Sequence, residues 1–262
     1  MKITQMLSSC SFDRAVDYYD KTRDLPGPMA TQGIEALHDY AGREAFILEV
    51  GTGTGRISLP LMERGANLIG CDISSAMMQR QRAKRPSARL AQADAAHLPF
   101  ASAQFDALLT IHVLHLVGAW REALREFKRV LKPGGVYINT WNWHSESSVH
   151  TRVRDYWRTQ VDAHGGKWRR PGIQKREEVL DEARASGATV ESVEVVRFAV
   201  PLAPHEVLDG LTHRIFSDTW DVPAEIFEPT VRETRAWAEK EFGDVARPLD
   251  EEMRFNLDVI RF

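Results

Sequence analysis

The chain has 262 residues, of which 43% are hydrophobic and 27% charged, and its formal net charge is −3 at pH 7. This composition is typical of a soluble globular protein that needs no disulfide or structural metal to fold. The slightly acidic balance disfavours proteins that bind nucleic acid or anionic membranes through charge alone. The two cysteines, Cys10 and Cys71, form no Cys-x-x-Cys pair, so we expect a reduced, cytoplasmic protein.

Neither a signal peptide nor a membrane span is predicted. The N-terminal residues contain no uninterrupted apolar run. The longest apolar run, from Phe105 to Val117, is interrupted by Asp106, Thr110 and two histidines. We therefore expect no membrane partner.

Short apolar runs alternate with helix-like stretches along the first half of the chain. The runs predict buried strands, and apolar residues three to four apart predict helices. The predicted strands are Phe46–Val50, Asn67–Asp72, Arg89–Asp94, Phe105–Ile111 and Val136–Trp141. The predicted helices between them are Arg56–Arg64, Ser75–Arg85, with Ser74 as its N-cap, and Trp120–Leu131. This alternation indicates a parallel α/β sheet covered by helices on both faces.

Further segments flank this core. Helix-like stretches are Phe12–Arg23, Thr31–Ala41, Ser147–His164 and His205–Gly243, and late strand-like runs are Val190–Val200 and Phe255–Phe262. We interpret residues 1–262 as a single domain. Its predicted parts are an N-terminal helical cap (1–42), a core (46–141), helical lid segments (142–189 and 204–245) and a terminal strand pair (190–200 and 255–262).

A glycine-rich loop follows the first predicted strand. In Glu49-Val50-Gly51-Thr52-Gly53-Thr54-Gly55, glycine recurs at alternate positions. Glycine permits positive φ and leaves no Cβ in the way, so such a loop brings its backbone close to a ligand, beside the free N–H groups of the next helix. A tight turn without a ligand has the same pattern. The Gly-x-Gly-x-x-Gly spacing of dinucleotide sites is absent, and no Gly-Lys-Ser/Thr closes a P-loop.

Two carboxylates end the next two predicted strands. Asp72 can accept hydrogen bonds from both hydroxyls of an unphosphorylated ribose. Asp94 can accept from the amino group of an adenine, and the N–H of Ala95 can meet a ring nitrogen. Either residue alone also suits a strand-end cap, but the pair points to adenosine.

At this point the sequence resembles the class I S-adenosylmethionine-dependent methyltransferases, especially the type 11 methyltransferase domain family. The resemblance covers roughly residues 46 to 140 and is carried by the glycine loop, Gly70-Cys71-Asp72-Ile73-Ser74, Ala93-Asp94-Ala95, Phe105-Asp106-Ala107 and Leu131-Lys132-Pro133-Gly134-Gly135. The segment from Tyr18 to Arg23 is similar to the segment that precedes the family core. The resemblance implies a Rossmann-like α/β sheet of seven strands, mostly parallel with the last antiparallel, and helical lid insertions.

The resemblance also implies S-adenosyl-L-methionine as the cofactor, with S-adenosyl-L-homocysteine as the product. Gly51 and Gly53 are expected at its methionine part, Asp72 at the ribose, and Asp94 with Ala95 at the adenine. Glu49 is expected to orient the loop or to reach the cofactor ammonium through water. The other expected contacts are Thr52, Gly55, Ile73, Ile111, Tyr19 and Arg23, of which the last two either close over the cofactor carboxylate or serve as an aromatic core anchor and a solvated arginine.

Three histidines are candidate bases or pocket-lining groups. They are His112, His115 and His144, near the loop expected after the fourth strand. His112 and His115 are three positions apart, but no third ligand accompanies them, so no metal site is predicted.

The segments outside the core bear on the methyl acceptor. The base-methylating enzymes of this fold resemble one another in an Asp/Asn-Pro-Pro-aromatic stretch, and this chain has Thr110-Ile111-His112-Val113 instead. The basic run Lys167-Trp168-Arg169-Arg170 suits an anionic acceptor, a nucleic-acid backbone or a solvated loop. Aromatic residues in 141–144 and 214–220 suit either an acceptor pocket or a lid core.

The sequence therefore predicts a methyltransferase with a small-molecule acceptor, methylated at oxygen, nitrogen or carbon. We expect no nucleic-acid partner and a monomer or homodimer. Two alternatives stay open. One is a non-catalytic or regulatory protein that binds S-adenosylmethionine, and the other is a nucleotide-dependent oxidoreductase.

Overall fold

The computed structural model describes residues 9–140 and 144–262. In this part of the chain, seven strands form a single sheet. They are β1 (Phe46–Val50), β2 (Asn67–Asp72), β3 (Leu90–Gln92), β4 (Phe105–Ile111), β5 (Leu131–Thr140), β6 (Thr189–Leu202) and β7 (Leu249–Arg261).

The strand order is β3-β2-β1-β4-β5-β7-β6. The pairs β1–β2, β1–β4, β2–β3 and β4–β5 are parallel, whereas β7 runs antiparallel to β5 and pairs Val259 with Ile138. The predicted sheet, mostly parallel with an antiparallel last strand, is confirmed. Because β1 is central and the order reverses beside it, the carboxyl ends of β1, β2 and β4 meet at one edge.

Helices connect most of these strands. They are α1 (Tyr19–Thr22), α2 (Ile34–Ala41), α3 (Ser58–Glu63), α4 (Ser75–Lys84), α5 (Trp120–Val130), α6 (Val149–Ala163), α7 (Arg176–Ala185), α8 (Pro204–Thr212) and α9 (Ala224–Phe242). Among the described residues, no helix is both long and apolar enough to cross a membrane. The predicted N-cap of α4 is confirmed, because the Ser74 hydroxyl accepts a 3.0 Å hydrogen bond from the Met77 amide.

The chain divides into two compact units. The first comprises the described part of residues 1–141 with 171–196 and 255–262, and the second comprises the described part of 142–170 with 197–254. The single-domain interpretation stays a prediction. Helix α7, which we assigned to a lid segment, belongs to the first unit, where Val179, Leu180 and Ala183 are buried in the core.

The core of the first unit is built on the sheet. Helix α5 contributes one apolar face, in which Ala123, Leu124, Phe127 and Val130 are all buried. This spacing is the one that places residues on the same side of a helix, so α5 has a single face to bury. The opposite face carries the arginines and glutamates of the helix.

The second unit has its own core, centred on α6, α8 and α9. The fully buried Trp157 of α6 packs edge-on against Phe227, with ring centroids 6.1 Å apart. Val153, Leu208 and Leu211 are also fully buried in this cluster. The second unit therefore buries its own apolar surface rather than forming an extended loop.

Candidate functional site

The loop after β1 adopts the conformation that its glycines permit. Gly51, Gly53 and Gly55 have φ values of +77°, +56° and +89°. A Cβ on Gly51 would lie 2.4 Å from Val113, and one on Gly55 would lie 2.7 Å from Leu59. At Gly53 the nearest atom would be the Cε of Met77 at 3.6 Å. Packing therefore requires Gly51 and Gly55, whereas Gly53 is required by its backbone conformation.

Asp72 ends β2 beside this loop. Its Oδ2 atom accepts a 2.8 Å hydrogen bond from the Gly53 amide, and its Oδ1 atom accepts a 2.8 Å bond from the Ser74 amide. Burial raises the pKa of Asp72, and the amides of Ser74 and Gly53 oppose that rise only in part. Each oxygen keeps a further lone pair, so the carboxylate can still accept hydrogen bonds from a ligand.

A polar network supports the loop from behind. The Thr52 hydroxyl lies 2.9 Å from Glu49 Oε2, 3.0 Å from Ser58 Oγ and 3.1 Å from Gln81 Oε1. Glu49 is only 2% exposed, and burial raises its pKa to about 8. A protonated Glu49 can donate to Thr52, which frees the single Thr52 hydrogen for a second partner. Glu49 thus contacts the loop through Thr52, and its role in orienting the loop or the cofactor ammonium stays a prediction.

Long-range polar contacts hold the N-terminal segment against the rest of the first unit. The Cys10 amide donates to the Leu116 carbonyl at 2.8 Å. The Ser74 hydroxyl donates to Asp13 at 2.5 Å, and Asp20 accepts from Thr54 at 2.5 Å. Such contacts join residues more than 30 positions apart, so they fix the segment over the loop and over the start of α4.

His112 follows β4 in a strained backbone conformation. Its φ is +57°, in the left-handed region that non-glycine residues seldom occupy. Strained backbone of this kind is concentrated at functional sites. His115 lies in a short 3₁₀ turn, Leu114–Leu116, where its carbonyl accepts a 3.0 Å hydrogen bond from Gly172.

These elements surround an open cavity, whose empty space together with the adjoining solvent is about 660 Å³. The predicted residues that line it are Tyr19, Gly51, Gly53, Asp72, Ile73, Ala95, Ile111 and His112. Eight of the predicted residues, drawn from five different segments of the chain, are thus brought together.

The other predicted residues do not line this cavity. Those in or behind the loop are Glu49, Thr52 and Gly55. Asp94 accepts a 2.9 Å hydrogen bond from the Ala96 amide, and Ser9 Oγ lies 3.4 Å from both of its carboxylate oxygens. Arg23 donates to the Thr22 carbonyl, His115 lies in the turn after β4, and His144 belongs to the second unit.

Sequence reasoning missed several lining residues, most of them apolar. They are Ser9, Cys10, Phe12, Val50, Met77, Ala93, Val113, Leu116 and Val117. Three of these, Val113, Leu116 and Val117, follow β4 at three-to-four spacing, a signal that was available in the sequence. Phe12 had no such signal, because its place depends on the fold of the N-terminal segment.

The lining chemistry fits an adenosyl ligand. It combines a buried carboxylate held by two backbone amides with small side chains at Ala93 and Ala95 and apolar walls at Ile73 and Met77. A carboxylate suits ribose hydroxyls, and small and apolar walls suit a flat ring. Among the described residues, no group of His, Cys, Asp and Glu is arranged to hold a metal ion.

Comparison with known proteins agrees with this geometry. Residues 48–139 match the family model described as a methyltransferase domain. A curated relative, the demethylmenaquinone methyltransferase of Paenarthrobacter aurescens, is 33% identical over 129 residues, which are 47% of this chain and 50% of the relative. The matches cover 26% to 56% of the length of such relatives.

Solved structures share the fold at low identity. The YcgJ protein of Bacillus subtilis has a TM-score of 0.59 and 18% identity, over 87% of this chain and 97% of that one. Haemonchus contortus phosphoethanolamine N-methyltransferase 2, solved with S-adenosylhomocysteine, has a TM-score of 0.55 and 15% identity, over 96% of this chain and 58% of that one. The strand order and the glycine loop are those of the Rossmann-like class I methyltransferase fold, and residues 48–139 match the methyltransferase domain family.

Proposed function

We propose that this protein binds S-adenosyl-L-methionine in the cavity beside β1, β2 and β4 and transfers its methyl group to a small molecule. The observation that carries the proposal is the Asp72 carboxylate. It lines the cavity and is held in place by the amides of Gly53 and Ser74. A carboxylate fixed in this way meets the two hydroxyls of a ribose without having to reorganise.

We assign the other parts of the cofactor to the rest of the cavity. Ala93 and Ala95 leave room for the adenine, and Ile73 and Met77 supply apolar contacts to its faces. Gly51 and Gly53 present backbone without side chains to the methionine part. Tyr19 lines the site from the N-terminal segment.

Orientation is the main contribution that the protein makes to the chemistry. When bound, S-adenosylmethionine supplies a methyl group that is already activated on a sulfonium. The chain has to hold an acceptor atom in line with that carbon and to exclude water. Good orientation of the reactants can lower the barrier by about 7–11 kcal/mol. A general base typically raises the rate about 10²–10⁴-fold, which is a smaller effect.

His112 is the candidate that we propose for contact with the acceptor. It lines the cavity at the end of β4, and its φ of +57° is a strained conformation. If the acceptor carries an ionisable hydroxyl or amine, an imidazole at this position can take its proton. His115 and His144 stay weaker candidates, because neither lines the cavity.

A small molecule is the proposed class of acceptor. The curated relative that matches 47% of this chain is named for methylating demethylmenaquinone, a small molecule. The net charge of −3 supplies no general attraction to nucleic acid. The acceptor atom is left open, because quinone and amine acceptors are methylated at different elements.

The test is calorimetric titration of the purified chain, freed of bound ligand, with S-adenosylmethionine, S-adenosylhomocysteine and NADH. We expect micromolar binding of both adenosyl compounds and none of NADH. Binding of NADH alone would contradict the proposal and favour an oxidoreductase. Acceptor candidates are then screened for methylated product with isotope-labelled cofactor, and a tight cofactor complex that turns over no acceptor would favour a regulatory protein.

A further inference from the structure

The backbone that follows β4 is held by a segment that is distant in the sequence. Two consecutive carbonyls of the 3₁₀ turn Leu114–Leu116, which we call the post-β4 turn, accept hydrogen bonds from this segment. The Ile173 amide donates to the Leu114 carbonyl at 3.3 Å, and the Gly172 amide donates to the His115 carbonyl at 3.0 Å. All of these residues belong to the first unit.

Gly172 allows this segment to approach the post-β4 turn very closely. It is buried, and a Cβ added to it would lie 2.0 Å from the carbonyl oxygen of Leu114 and 2.9 Å from that of Val117. Both neighbours are backbone atoms, so they cannot rotate away as the end of a flexible side chain can. The φ of Gly172 lies outside the left-handed region that favours glycine. Space rather than backbone conformation therefore requires a glycine at this position.

The residues just before the post-β4 turn form part of the cavity wall. His112 and Val113 both line the cavity, and the φ of +57° at His112 is a strained conformation. Strain of this kind persists only where the surrounding structure holds the backbone in place. Val113 also packs against the glycine loop, because a Cβ on Gly51 would lie 2.4 Å from its Cγ2 atom. The position of the post-β4 turn therefore determines how Val113 contacts Gly51.

We propose that Gly172 is a positioning residue for the amino-acid end of the cofactor. Gly172 does not line the cavity and acts through the post-β4 turn, which fixes Val113 against Gly51. A site keeps its geometry only when a second layer of contacts fixes the residues that line it. The inference rests on the proposed function, because it takes Gly51 as a contact of the methionine part of S-adenosylmethionine.

A methyl group at position 172 has to separate the two segments. The 2.0 Å between the added Cβ and the Leu114 carbonyl oxygen must grow by about 1 Å or more before the contact is tolerable. This separation stretches the hydrogen bonds that Gly172 and Ile173 donate. The Leu116 carbonyl stays bound to the Cys10 amide at 2.8 Å. The displacement should therefore be largest at the end of the post-β4 turn that adjoins Val113.

The test measures the binding of two ligands to the full-length chain by calorimetry, after any bound ligand has been removed. S-adenosylhomocysteine contains the amino-acid end, whereas 5′-methylthioadenosine keeps the adenosine and the sulfur but lacks that end. Gly172→Ala should weaken binding of S-adenosylhomocysteine about tenfold or more. Its affinity for 5′-methylthioadenosine should stay within about twofold of wild type, because the adenosine contacts are made elsewhere.

Gly135→Ala is the matched control for steric crowding of the backbone. A Cβ on Gly135 would lie 2.9 Å from the Lys132 carbonyl oxygen and 3.0 Å from that of Asp106. Gly135 lies in β5, towards the amino ends of β4 and β5, and does not line the cavity. Both glycine variants should lower the midpoint of denaturant unfolding. Only Gly172→Ala should also lose affinity for S-adenosylhomocysteine, and Gly135→Ala should bind both ligands within about twofold of wild type.

A milder pair of variants decides if Gly172→Ala does not fold. The Gln174 Nε2 atom donates a 2.7 Å hydrogen bond to the Gly172 carbonyl, so Gln174→Ala loosens the same segment without crowding it. It should weaken S-adenosylhomocysteine about threefold and leave 5′-methylthioadenosine unchanged. Gln104→Ala removes a comparable bond, 3.0 Å from the Ala101 amide, ahead of β4, and should change neither affinity.

The proposal is overturned if Gly172→Ala binds S-adenosylhomocysteine as tightly as Gly135→Ala does, or if it loses the same affinity for both ligands. In the milder pair, equal binding of S-adenosylhomocysteine by Gln174→Ala and Gln104→Ala overturns it as well. A wild-type chain that binds neither ligand contradicts the proposed function and this inference with it. Wild-type binding that Gly172→Ala leaves unchanged contradicts this inference alone.

Discussion

The backbone amide of Gly53 donates a 2.8 Å hydrogen bond to Oδ2 of Asp72 and so joins the loop after β1 to the end of β2. Residues 19 positions apart meet here because β1 and β2 are parallel neighbours whose carboxyl ends lie side by side. The same carboxylate lines the cavity. Asp72 therefore holds the loop and faces the ligand at once, and substitutions at either residue should affect both loop and ligand.

Asp72→Ala removes the carboxylate that we assign to the ribose. S-adenosylhomocysteine affinity should fall by about 1–3 kcal/mol, because its ribose hydroxyls lose a charged acceptor and the amides of Gly53 and Ser74 lose theirs. Calorimetry measures the change. Asp181→Ala, at an aspartate that is 73% exposed on α7, controls for the loss of one negative charge. Equal affinity of the two variants would remove Asp72 from the binding site.

A comparison of Gly53 with Gly65 separates the effect of backbone strain from the effect of ligand contact. Gly53 and Gly65 both have positive φ, +56° and +89°, and a Cβ would fit at both without overlap. Gly53→Ala and Gly65→Ala should each destabilise the fold by about 1–2 kcal/mol, because alanine disfavours the left-handed region. Only Gly53 lines the cavity, so only Gly53→Ala should also weaken cofactor binding.

The two variants are compared by denaturant unfolding and by calorimetry of S-adenosylhomocysteine. Unfolding reports the strain, which we expect at both positions. If Gly53→Ala and Gly65→Ala bound the cofactor with the same affinity, the loop would have a structural role only. Gly53→Val, the larger change, should abolish binding because its branched side chain also restricts the loop.

The central strands were predictable because local sequence features determine where they begin and end. The bounds of β1, β2 and β4 agree with the prediction residue for residue. Each is a short apolar run that ends at a glycine, an aspartate or a turn. Because these strands are buried on both faces, their sequences do not need to alternate between apolar and polar residues. β5 begins at Leu131 instead of Val136, because an irregular stretch through Pro133 still pairs with β4 at Phe105.

The N-terminal segment was not predictable in this way. Instead of a helix over Phe12–Arg23, it contains a 3₁₀ turn at Asp13–Ala15 and the short helix α1. The acidic side chains of Asp13 and Asp20 bind Ser74 and Thr54. Such long-range contacts override local helix propensity, and their partners cannot be found from spacing alone. Likewise, the stretch His205–Gly243 contains two helices, α8 and α9, separated by Arg214 at φ +51° and by Pro223.

The candidate site also contains some residues that were predictable from the sequence and some that were not. Asp72 was predictable, since a strand end in a parallel sheet is fixed by the topology. The hydrogen bond between Arg154 and Asp218 was not predictable, because these residues are 64 positions apart and meet only in the folded second unit. The basic run at residues 167–170 was visible in the sequence, but only the structure shows that Arg170 faces a buried carboxylate rather than solvent.

His112→Asn tests the proposed contact with the acceptor. Asparagine tolerates positive φ, so the backbone at this position should keep its conformation. We expect cofactor affinity to change little and kcat to fall by about 10²-fold or more with an acceptor whose proton must be removed. His115→Gln, in the adjacent turn, should keep kcat within about twofold.

The pH profile of kcat distinguishes a base from a group that only lines the pocket. If kcat of the wild type changes with pH over one range and this change is absent in His112→Asn, His112 is the base. Loss of rate with an unchanged limb would assign it to packing against the acceptor. Unchanged kcat at every pH would exclude both roles.

Glu49 makes stability depend on pH in a direction opposite to that of most carboxylates. Burial raises its pKa from 4.5 to about 8, so the folded protein holds a proton there that the unfolded chain releases. Below about pH 4.5 both states are protonated and the stabilisation is fully present. As pH rises towards 8 it is progressively lost, by at most about 1.4 kcal/mol for each pH unit.

Glu49→Gln removes this dependence because a glutamine is neutral throughout and its Nε2 group can donate to Thr52 as the protonated carboxyl does. The difference in unfolding free energy between the variant and the wild type should therefore grow in favour of the variant between pH 5 and pH 8. Denaturant titrations at several pH values measure it, and all other titrating groups cancel in the difference. Glu225→Gln makes the same substitution at an exposed position and should give no such trend. A difference that stays constant across this range would mean that Glu49 is already ionised in the fold, and Thr52 would then have to be its hydrogen-bond donor.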